Sequence, residues 1–489
     1  MSDSTPELPP GPDAPVTSPA IGHDEWVARH VERRLPPRLG VVEQRLRRVP
    51  WFAWLVLFIA GASLLPVFSS SGYVRRVGFD TVLYMLLAIG LNVVVGWGGL
   101  LDLGYVAFYG VGAYAYALFD SDHYGIHMWS IASIPIIVVL GGVVGLLVGL
   151  PSRRLSGDYL AIVTLFFLQL FNTVATNGDK FFFGAGNVTG GANGILDVDP
   201  LDFFGHDIAV QHQGVFAVSY YYIALGFFAV VFVALHFLNQ SRTGRAWRSL
   251  REDPLAAEVM GMPVNWLKLM AFAFGAAVAA LAGTLFAALN ASVFPLTFYF
   301  VLLITVYTMV ILGGQGSQWG VVLGAILISV LLEFLRDTGQ ARALFYVLLG
   351  AGLLLCFKFS RRLPLVAAAT IGFGFAAHAV ADAIDHSWVA GSSGAWAKDW
   401  VIVPTHLASW LPPVAYGVLI GSVLGLTLIR GWVRTVLLVP VVYLAAFVWE
   451  NVMLEKPEPT RYIAIGVILV GLMILRPNGL LGEKRVEIV

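Results

Sequence analysis

The chain has 489 residues, of which 58% are hydrophobic and only 12% are charged, whereas soluble domains average about 25% charged residues. This composition excludes an ordinary soluble protein and is typical of an integral membrane protein. Acidic and basic residues are equal in number, so the net charge gives no reason to expect nucleic-acid binding. The single cysteine, Cys356, excludes an intrachain disulfide and disfavours a cysteine-ligated metal site.

Residues 1–50 are predicted to form a cytoplasmic extension. The first twenty or so are rich in Pro, Ser and Asp, which is typical of a disordered segment. In residues 23–49, leucine and valine recur at helical spacing opposite several arginines. This pattern fits an amphipathic helix lying on the membrane surface and equally fits a solvated basic tail.

Long apolar runs follow from residue 51 onward. A membrane-spanning helix needs about 20 apolar residues, and the runs lack the alternation that barrel strands show. We therefore predict an all-α, polytopic transmembrane helix bundle of about 14 spans. The predicted segments lie near 51–68, 78–95, 100–119, 129–150, 158–177, 219–238, 268–290, 298–313, 320–335, 343–358, 364–381, 413–429, 435–450 and 461–475.

The distribution of basic residues predicts the orientation. With the N-terminus in the cytoplasm and the segments alternating, 22 of the 30 Lys and Arg residues face the cytoplasm, as the positive-inside rule requires. Both termini are then cytoplasmic, and loops 178–218 and 382–412 are external. The pair Arg75 and Arg76 fits this scheme least well, so the second span is expected to begin as a tilted or interfacial segment.

The apolar segments also suggest an organisation into parts. Residues 51–360 are predicted to form a membrane-embedded core with a cytoplasmic loop at 239–267. Residues 361–450, here called the insert, are predicted to form a further membrane segment, and 451–489 a final span with a cytoplasmic tail.

Motifs of enzymes are missing from the sequence. It contains neither the phosphate-binding pattern G-x-x-x-x-G-K-[ST] nor H-E-x-x-H. Ion-driven carriers usually place carboxylates in mid-span, but Asp80 and Asp158 are predicted at span ends. Asp102 is expected to be hydrated near the inner interface. The sequence therefore favours a transport path whose energy comes from a partner.

The segment Ser241–Met262, here called the charged island, predicts a short helix. Asp253 is a good N-cap residue, Pro254 suits the first helical position, and Gly261 suits the left-handed stop that ends a helix. Because a helix of about two turns is marginal alone in water, we expect the island to dock on something outside the membrane.

Polar and glycine residues within the spans are candidates for a translocation path. Glycine is abundant between the second and third segments, which predicts a broken or closely packed helix. Small residues every fourth position, as in Gly141, Gly145 and Gly149 or Gly417, Gly421 and Gly425, indicate helix packing. Each polar candidate has the alternative of simply bonding to a neighbouring helix. The path candidates are Asn92, Gly96, Gly99, Thr164, Gln169 and Asn172.

Four blocks and the chain end resemble a known family. They are GLNVVVGWGGLLDLGYVAFYGVGAYAYAL (90–118), SGDYLAIVTLFFLQL (156–170) with TGGANGI (189–195), RTGRAWRSLREDPLAAEVMGM (242–262) with KLMAFAFGAAVAALAGTLFA (268–287), VILGGQGSQWGVVLGAILISVLLEFLR (310–336), and LRPNGLLG (475–482). Together they are similar to the M-type permease subunit of bacterial branched-chain amino-acid ABC importers, of the leucine/isoleucine/valine type. The family core has about 10 spans, so the N-terminal extension and the insert are departures from it.

The resemblance implies a multi-pass permease of the bacterial cell membrane that has no catalytic residues, metal or cofactor of its own. It implies four kinds of partner: a homologous second permease, two ATP-binding cassette ATPases that bind the ATP, an extracytoplasmic solute-binding protein and the membrane lipid. The substrate implied is a branched-chain or related neutral amino acid. Importers of urea or short amides have similar permeases, and an ion-coupled secondary carrier is the alternative from another class.

The resemblance also implies roles for individual residues. The expected ATPase-coupling residues are Arg245, Arg248, Arg251, Glu252, Asp253, Pro254, Ala257, Glu258 and Gly261. The expected loop facing the binding protein contains Thr189, Gly190, Gly191, Asn193 and Gly194. Gln169 stands where relatives often have Glu, and Asp102 is less usual than a small residue, so the identity of the substrate stays open.

Overall fold

The computed structural model describes most of the chain from residue 50 onward. The described residues are 50–68, 71–152, 155, 157–179, 187–203, 206–207, 211–212, 215–216, 218–357, 362–391, 400–406, 408, 410–429, 432–453, 457–475 and 479–482. The predictions for residues 1–49 and for part of the loop 382–412 lie outside them. Contacts divide the chain into two units, and the larger one, Ile59–Glu483, holds all the contacts discussed below.

Helices dominate the described residues, as predicted. The α-helices are α1 Trp51–Ser63, α2 Leu65–Phe68, α3 Gly72–Leu91, α4 Tyr105–Phe119, α5 Ser130–Ser152, α6 Asp158–Asn177, α7 Val218–Gln240, α8 Arg242–Glu252, α9 Pro254–Val259, α10 Val264–Asn290, α11 Phe300–Gly313, α12 Gln318–Phe334, α13 Thr338–Phe357, α14 Arg362–Ile384, α15 Leu411–Leu428, α16 Trp432–Val448 and α17 Pro457–Leu475. Two π-helices, Asn92–Trp97 and Trp449–Met453, continue α3 and α16.

Every predicted apolar segment corresponds to a helix, which confirms a polytopic helical membrane protein. In the described part of the chain, eight helices are long and apolar enough to cross a membrane. The number is nine if α12 and α13 are counted together, although the chain bends by 120° between them. Four further apolar helices are shorter, among them α4 and α11. The count of 14 spans stays a prediction.

Helix α3 begins at Gly72, six residues before the predicted segment. Arg76 and Asp80 therefore lie inside the helix, and the expectation that Asp80 sits at a span end stays a prediction. Arg76 pairs with Asp80 at 3.3 Å and donates a 2.7 Å hydrogen bond to Asn290 Oδ1. These partners let polar side chains enter a helix whose remaining face is apolar.

The centre of the bundle is α10, which packs against α3, α4 and α5. Its small residues allow close approach, because a Cβ added at Gly145 on α5 would lie only 2.6 Å from the Ala276 Cβ. The packing role predicted for this stripe is confirmed. The stripe Gly417, Gly421 and Gly425 on α15 instead faces open space, with nothing within 4 Å of an added Cβ. The predicted packing is therefore not found there among the described residues.

The two ends of α10 mark two ends of the bundle. Near its start, the carbonyl of Leu267 accepts a 2.8 Å hydrogen bond from the Trp247 indole of the charged island. At its last residue, Asn290 bonds to Arg76. We call the first the island end and the other the far end, about 40 Å away along a helix of this length.

Short antiparallel strand pairs connect the loops that follow α4, α6 and α10. Each strand has two residues, so the pairs fix loop positions without forming a larger sheet. The strands are β1 Asp120–Ser121, β2 Ile126–His127, β3 Ile195–Leu196, β4 Asp202–Phe203, β5 His206–Asp207, β6 Gln211–His212, β7 Val215–Phe216 and β8 Ser292–Val293. The pairs are β1 with β2, β3 with β8, β4 with β5, and β6 with β7.

Candidate functional site

The charged island folds into two short helices, α8 and α9. The Asp253 carboxylate caps α9, accepting hydrogen bonds from the backbone N–H of Leu255 at 2.9 Å and of Ala256 at 3.0 Å. Pro254 occupies the first turn, and Gly261 has a φ of 78° in the left-handed region. The predicted helix and its N-cap and stop residues are confirmed.

Helix α8 is anchored through one face. Trp247 is fully buried and stacks on Trp97, with ring centroids 6.3 Å apart and planes 21° from parallel. The opposite face is charged and exposed. Arg245 and Arg248 lie there and donate hydrogen bonds to backbone carbonyls at the end of α7. The helix is therefore held firmly while its arginines face outward.

Helix α9 exposes an apolar surface. The side chains of Leu255, Val259 and Met260 are 75%, 86% and 81% exposed, whereas Ala257 is buried against the protein. Glu258 is exposed beside them. Burying one such side chain is worth about 1.5–3 kcal/mol. This outer surface, together with Glu258, has the composition of a docking site for another protein.

The π-helix Asn92–Trp97 connects the island to the bundle, and it continues α3 in close contact with its neighbours, which fits the closely packed alternative predicted for this glycine-rich stretch. The Asn92 Oδ1 accepts a 2.9 Å hydrogen bond from Gly316 N, and the Trp97 indole donates a 2.9 Å bond to the Gly316 carbonyl. Gly99 has a φ of 66°, and a Cβ there would lie 3.1 Å from the Arg251 Cα. Bulkier side chains would push these segments apart.

The end of the chain returns to the same place. The N–H groups of Leu480 and Leu481 donate hydrogen bonds of 2.9 and 3.0 Å to the carbonyls of Leu312 and Gly313. We define the island junction as residues 92–99, 247–251, 312–317 and 479–481. It joins the charged island to the ends of α3, α11 and α12.

The polar path candidates Thr164, Gln169 and Asn172 all lie on α6. Thr164 is buried and its Oγ1 accepts a 2.9 Å bond from Leu103 N. Asn172 is also buried and donates to the Phe298 carbonyl at 3.3 Å. Gln169 is exposed on the outer side of α6. A role of any of them in a path stays a prediction.

Asp102 is fully buried, so the expectation that it is hydrated is wrong. Its Oδ1 accepts a 2.8 Å hydrogen bond from Gly104 N, and its carbonyl accepts a 2.6 Å bond from the Tyr307 hydroxyl. The carboxylate thus stabilises the turn that leads into α4. No pattern along the chain indicates Tyr307 as a partner, since it lies 205 residues away.

The loop 189–194 is held at the far end by α6 and β8. The Thr189 hydroxyl donates a 2.8 Å hydrogen bond to the Ala175 carbonyl, near the end of α6. Ile195 pairs with Val293 in the β3–β8 ladder. Gly190, Gly191 and Gly194 all have positive φ, and Asn193 is exposed. The loop is a fixed turn that presents Asn193 outward.

A cavity of about 460 Å³ also lies at the far end, between α3, α11, α12 and the start of α17. Four charged side chains line it: Arg76, Asp80, Glu333 and Arg461. None of the six path candidates lines it. This group was not predicted from sequence, because its members come from three helices up to 385 positions apart. Among the described residues, no cluster of three metal-binding side chains occurs.

The family model for the permease component of branched-chain amino acid transport systems matches residues 74–357. The LivM permease protein of Escherichia coli K12 is 37% identical over 59% of this chain and 69% of its own length. A probable LivM protein of Methanocaldococcus jannaschii is 26% identical over 58% of this chain and 80% of its own. The E. coli K12 permease protein LivH is 26% identical over 50% and 80% respectively. No solved structure matches the chain.

Proposed function

Because the chain belongs to the family of permease components of branched-chain amino acid transport systems, we propose that it forms the membrane path of an ATP-driven importer for branched-chain or related neutral amino acids. The observation that carries this proposal is the family match over 74–357, which includes the charged island and most of the island junction. The permease itself is a multi-pass membrane protein. The substrate and the energy source belong to the proposal.

We propose that the partners are those implied for the family. The likeness to both LivM and LivH supports a second, homologous permease beside this one. One of two ATP-binding subunits lies against the island end of this chain, the other lies against the second permease, and a solute-binding protein meets the far end near Asn193. In this arrangement the chain crosses the membrane 14 times with both termini in the cytoplasm. Its support is the 22 of 30 basic residues assigned to the island side.

The island junction provides a chain of contacts that can couple a movement of the ATP-binding partner to the membrane helices. A partner that binds the apolar surface of α9 and shifts this helix also shifts α8, because the two helices are consecutive and in contact. The stacked pair Trp97 and Trp247 passes that movement to the π-helix. The hydrogen bonds of Gly316 then link it to the start of α12. A rearrangement at the island therefore reaches helices that line the cavity at the far end.

The proposed function is tested by reconstituting the chain in proteoliposomes with its second permease, ATPases and binding protein. We expect uptake of leucine, isoleucine or valine that requires both ATP and the binding protein. Uptake driven by a proton or sodium gradient without ATP would contradict the proposal and favour an ion-coupled carrier. Uptake of urea or a short amide in place of leucine would keep the importer and change its substrate.

Variants of α9 test the coupling role within the same assembly. Replacing Leu255 and Val259 by serine removes part of the exposed apolar surface, and Glu258→Arg reverses its charge. We expect the permease to reach the membrane, while uptake per ATP hydrolysed falls by roughly tenfold or more, since each lost apolar contact costs about 1.5–3 kcal/mol. Val67→Ser, at an apolar position that is 71% exposed and lies beside Arg75 at the far end, is the matched control. Unchanged coupling in the α9 variants would remove this role from the island.

A further inference from the structure

The far-end cavity combines two kinds of lining residue. Two guanidinium groups, of Arg76 and Arg461, and two carboxylates, of Asp80 and Glu333, form its charged part. Its apolar part includes Leu83, Leu87, Phe286 and Leu302, and the two α3 leucines continue the helix face that carries Arg76 and Asp80. Its volume of about 460 Å³ lies within the roughly 300–1,000 Å³ that small-molecule sites occupy. Such a cavity suits a small ligand with charges of both signs at one end and hydrocarbon at the other.

Some of the charged side chains in the cavity are paired, but they remain partly exposed. Arg76 and Asp80 form an ion pair, yet their side chains remain 37% and 40% exposed. Glu333 accepts a hydrogen bond from the Tyr73 hydroxyl and lies 3.6 Å from Arg336. The buried Nε of Arg461 has no hydrogen-bond partner within the part of the chain that the structure describes. Because this atom is itself buried, Arg461 can meet a ligand only through the rest of the guanidinium group, since the residue lines the cavity.

We propose that this cavity binds a neutral amino acid in its zwitterionic form, as a station on the path from the far end into the bundle. The α-carboxylate lies between Arg76 and Arg461, where charge-assisted hydrogen bonds are strongest. The α-ammonium lies toward Asp80 and Glu333, and the aliphatic side chain packs against Leu83 and Leu87. This assignment rests on the proposed function and adds the site and the chemistry of recognition.

Other ligand chemistries fit the four charges less well. A metal or ammonium ion would be attracted by the two carboxylates but repelled by the two guanidinium groups in the same partly desolvated site, which is unfavourable. An anion would be repelled by the carboxylates in the same way. Urea can bond to the charged part but has no hydrocarbon for the apolar part. A zwitterion with an aliphatic side chain matches the guanidinium groups, the carboxylates and the apolar lining.

A thiol-protection experiment tests the site without relying on transport. Thr297 is half-buried and lines the cavity, so Thr297→Cys is introduced after the single native cysteine, Cys356, is replaced by serine. The full assembly in proteoliposomes is treated with a membrane-impermeant thiol reagent. We expect saturating leucine to slow modification by roughly tenfold, which corresponds to about 1.4 kcal/mol. Its two halves, 4-methylpentanoate and 3-methylbutylamine, are expected to protect much less.

Two comparisons make the outcome specific. Val67→Cys, exposed at the same end but outside the cavity, should show no protection by leucine. Adding Arg461→Gln to Thr297→Cys should abolish protection, and Arg461→Lys should restore part of it. Equal protection at both cysteines, equal protection by either half-molecule, or no protection by leucine would overturn the assignment.

Failure of this site and failure of the proposed function give different results. ATP-dependent uptake by the assembly without the cysteine substitutions is measured in parallel vesicles. Uptake of leucine with no protection of Thr297→Cys would reject the cavity and keep the permease. Absence of ATP-dependent uptake with clear protection would keep the cavity and reject the energy source.

Discussion

Gly99 shows how closely single residues fit at the island junction. Its φ of 66° is a conformation that costs other residues about 1–2 kcal/mol, and an added Cβ would lie 3.0–3.2 Å from Arg251 atoms. We therefore expect Gly99→Ala to destabilise the protein by about 1–2 kcal/mol and to weaken coupling. The measurements are thermal unfolding of the purified protein and uptake per ATP hydrolysed.

The matched control for that change is Gly226→Ala in α7, where nothing lies within 4 Å of an added Cβ. Alanine is a better helix former than glycine by about 1 kcal/mol. This variant should therefore be neutral or slightly more stable. If both variants behave alike, the tight fit of Gly99 has no energetic consequence.

His127 gives the far end a pH-dependent contact. Its ring bonds to Asp199 at 2.5 Å and lies 3.3 Å from Asp122, and the hydrogen bond to Asp199 is the main reason that the pKa of His127 is raised. A raised pKa means that the stabilisation is complete below the ordinary value of 6.5. It is lost as the pH rises through the higher, folded-state pKa.

We therefore expect His127→Gln to lower the melting temperature at acidic pH and to have little effect at alkaline pH. Thermal unfolding of both proteins across this range measures the difference. Because His127 is exposed, the effect should also shrink in high salt. A difference that grows as the pH rises would contradict the assigned ion pair.

The structural role of a residue could be predicted from sequence where it depends on neighbours only a few positions away. Asp253, Pro254 and Gly261 define a helix through neighbours within a few positions, and the structure has that helix. Asn92 and Asp102 take their roles from Gly316 and Tyr307, more than 200 positions away. No pattern along the chain identifies such partners, so the burial of Asp102 was missed.

At the scale of elements, the apolar runs located each spanning helix but not its polar start. Helix α3 extends to Gly72 because Arg76 finds Asp80 and Asn290 inside the protein. Hydropathy assigns any arginine to the end of a span, since it takes no account of such partners. The rule that correctly located the helices therefore gave no indication of the cavity, because it assigned the charged lining residues to the ends of spans.

The connection between the family-matched region and the insert is a second property of elements. Arg342 on α13 makes a two-pronged pair with Glu450, with three N–O distances of 2.9 Å. The Glu450 side chain is 1% exposed. Phe345 stacks on Trp449 with ring centroids 4.6 Å apart. These contacts fix the end of α16 against α13.

Breaking this pair should loosen the insert. We expect Arg342→Ala to cost about 3–5 kcal/mol, because it leaves a buried carboxylate without its partner. The double variant Arg342→Met with Glu450→Gln should recover much of that loss. Arg336→Ala, which breaks an exposed pair with Glu333, is the control and should cost less than about 1 kcal/mol. Thermal unfolding and protease sensitivity of the insert are the measurements, and equal effects at both arginines would contradict the argument.

At the scale of the whole molecule, the structure separates two kinds of chemistry. The island end carries the exposed apolar surface of α9 and a hydrogen-bonded junction, and the far end carries an ionic cavity and a fixed loop. Helix α10 runs between them. A census of charges predicted these two ends from sequence because basic residues accumulate on one side. It did not predict the content of either end, which depends on contacts between distant helices.

The orientation is the last prediction, and it concerns the molecule as a whole. If basic residues set the topology, Ser249 of the island is cytoplasmic, whereas Asn193 and Ser387 are external. Single cysteines at these three exposed positions, each in the Cys356→Ser background, are treated with an impermeant maleimide. We expect Asn193→Cys and Ser387→Cys to react in intact cells and Ser249→Cys only after permeabilisation. Reaction of Ser387→Cys only from the inside would mean an odd number of crossings between Asn193 and the insert. It would reject the 14-span arrangement while leaving the separation of the two ends intact.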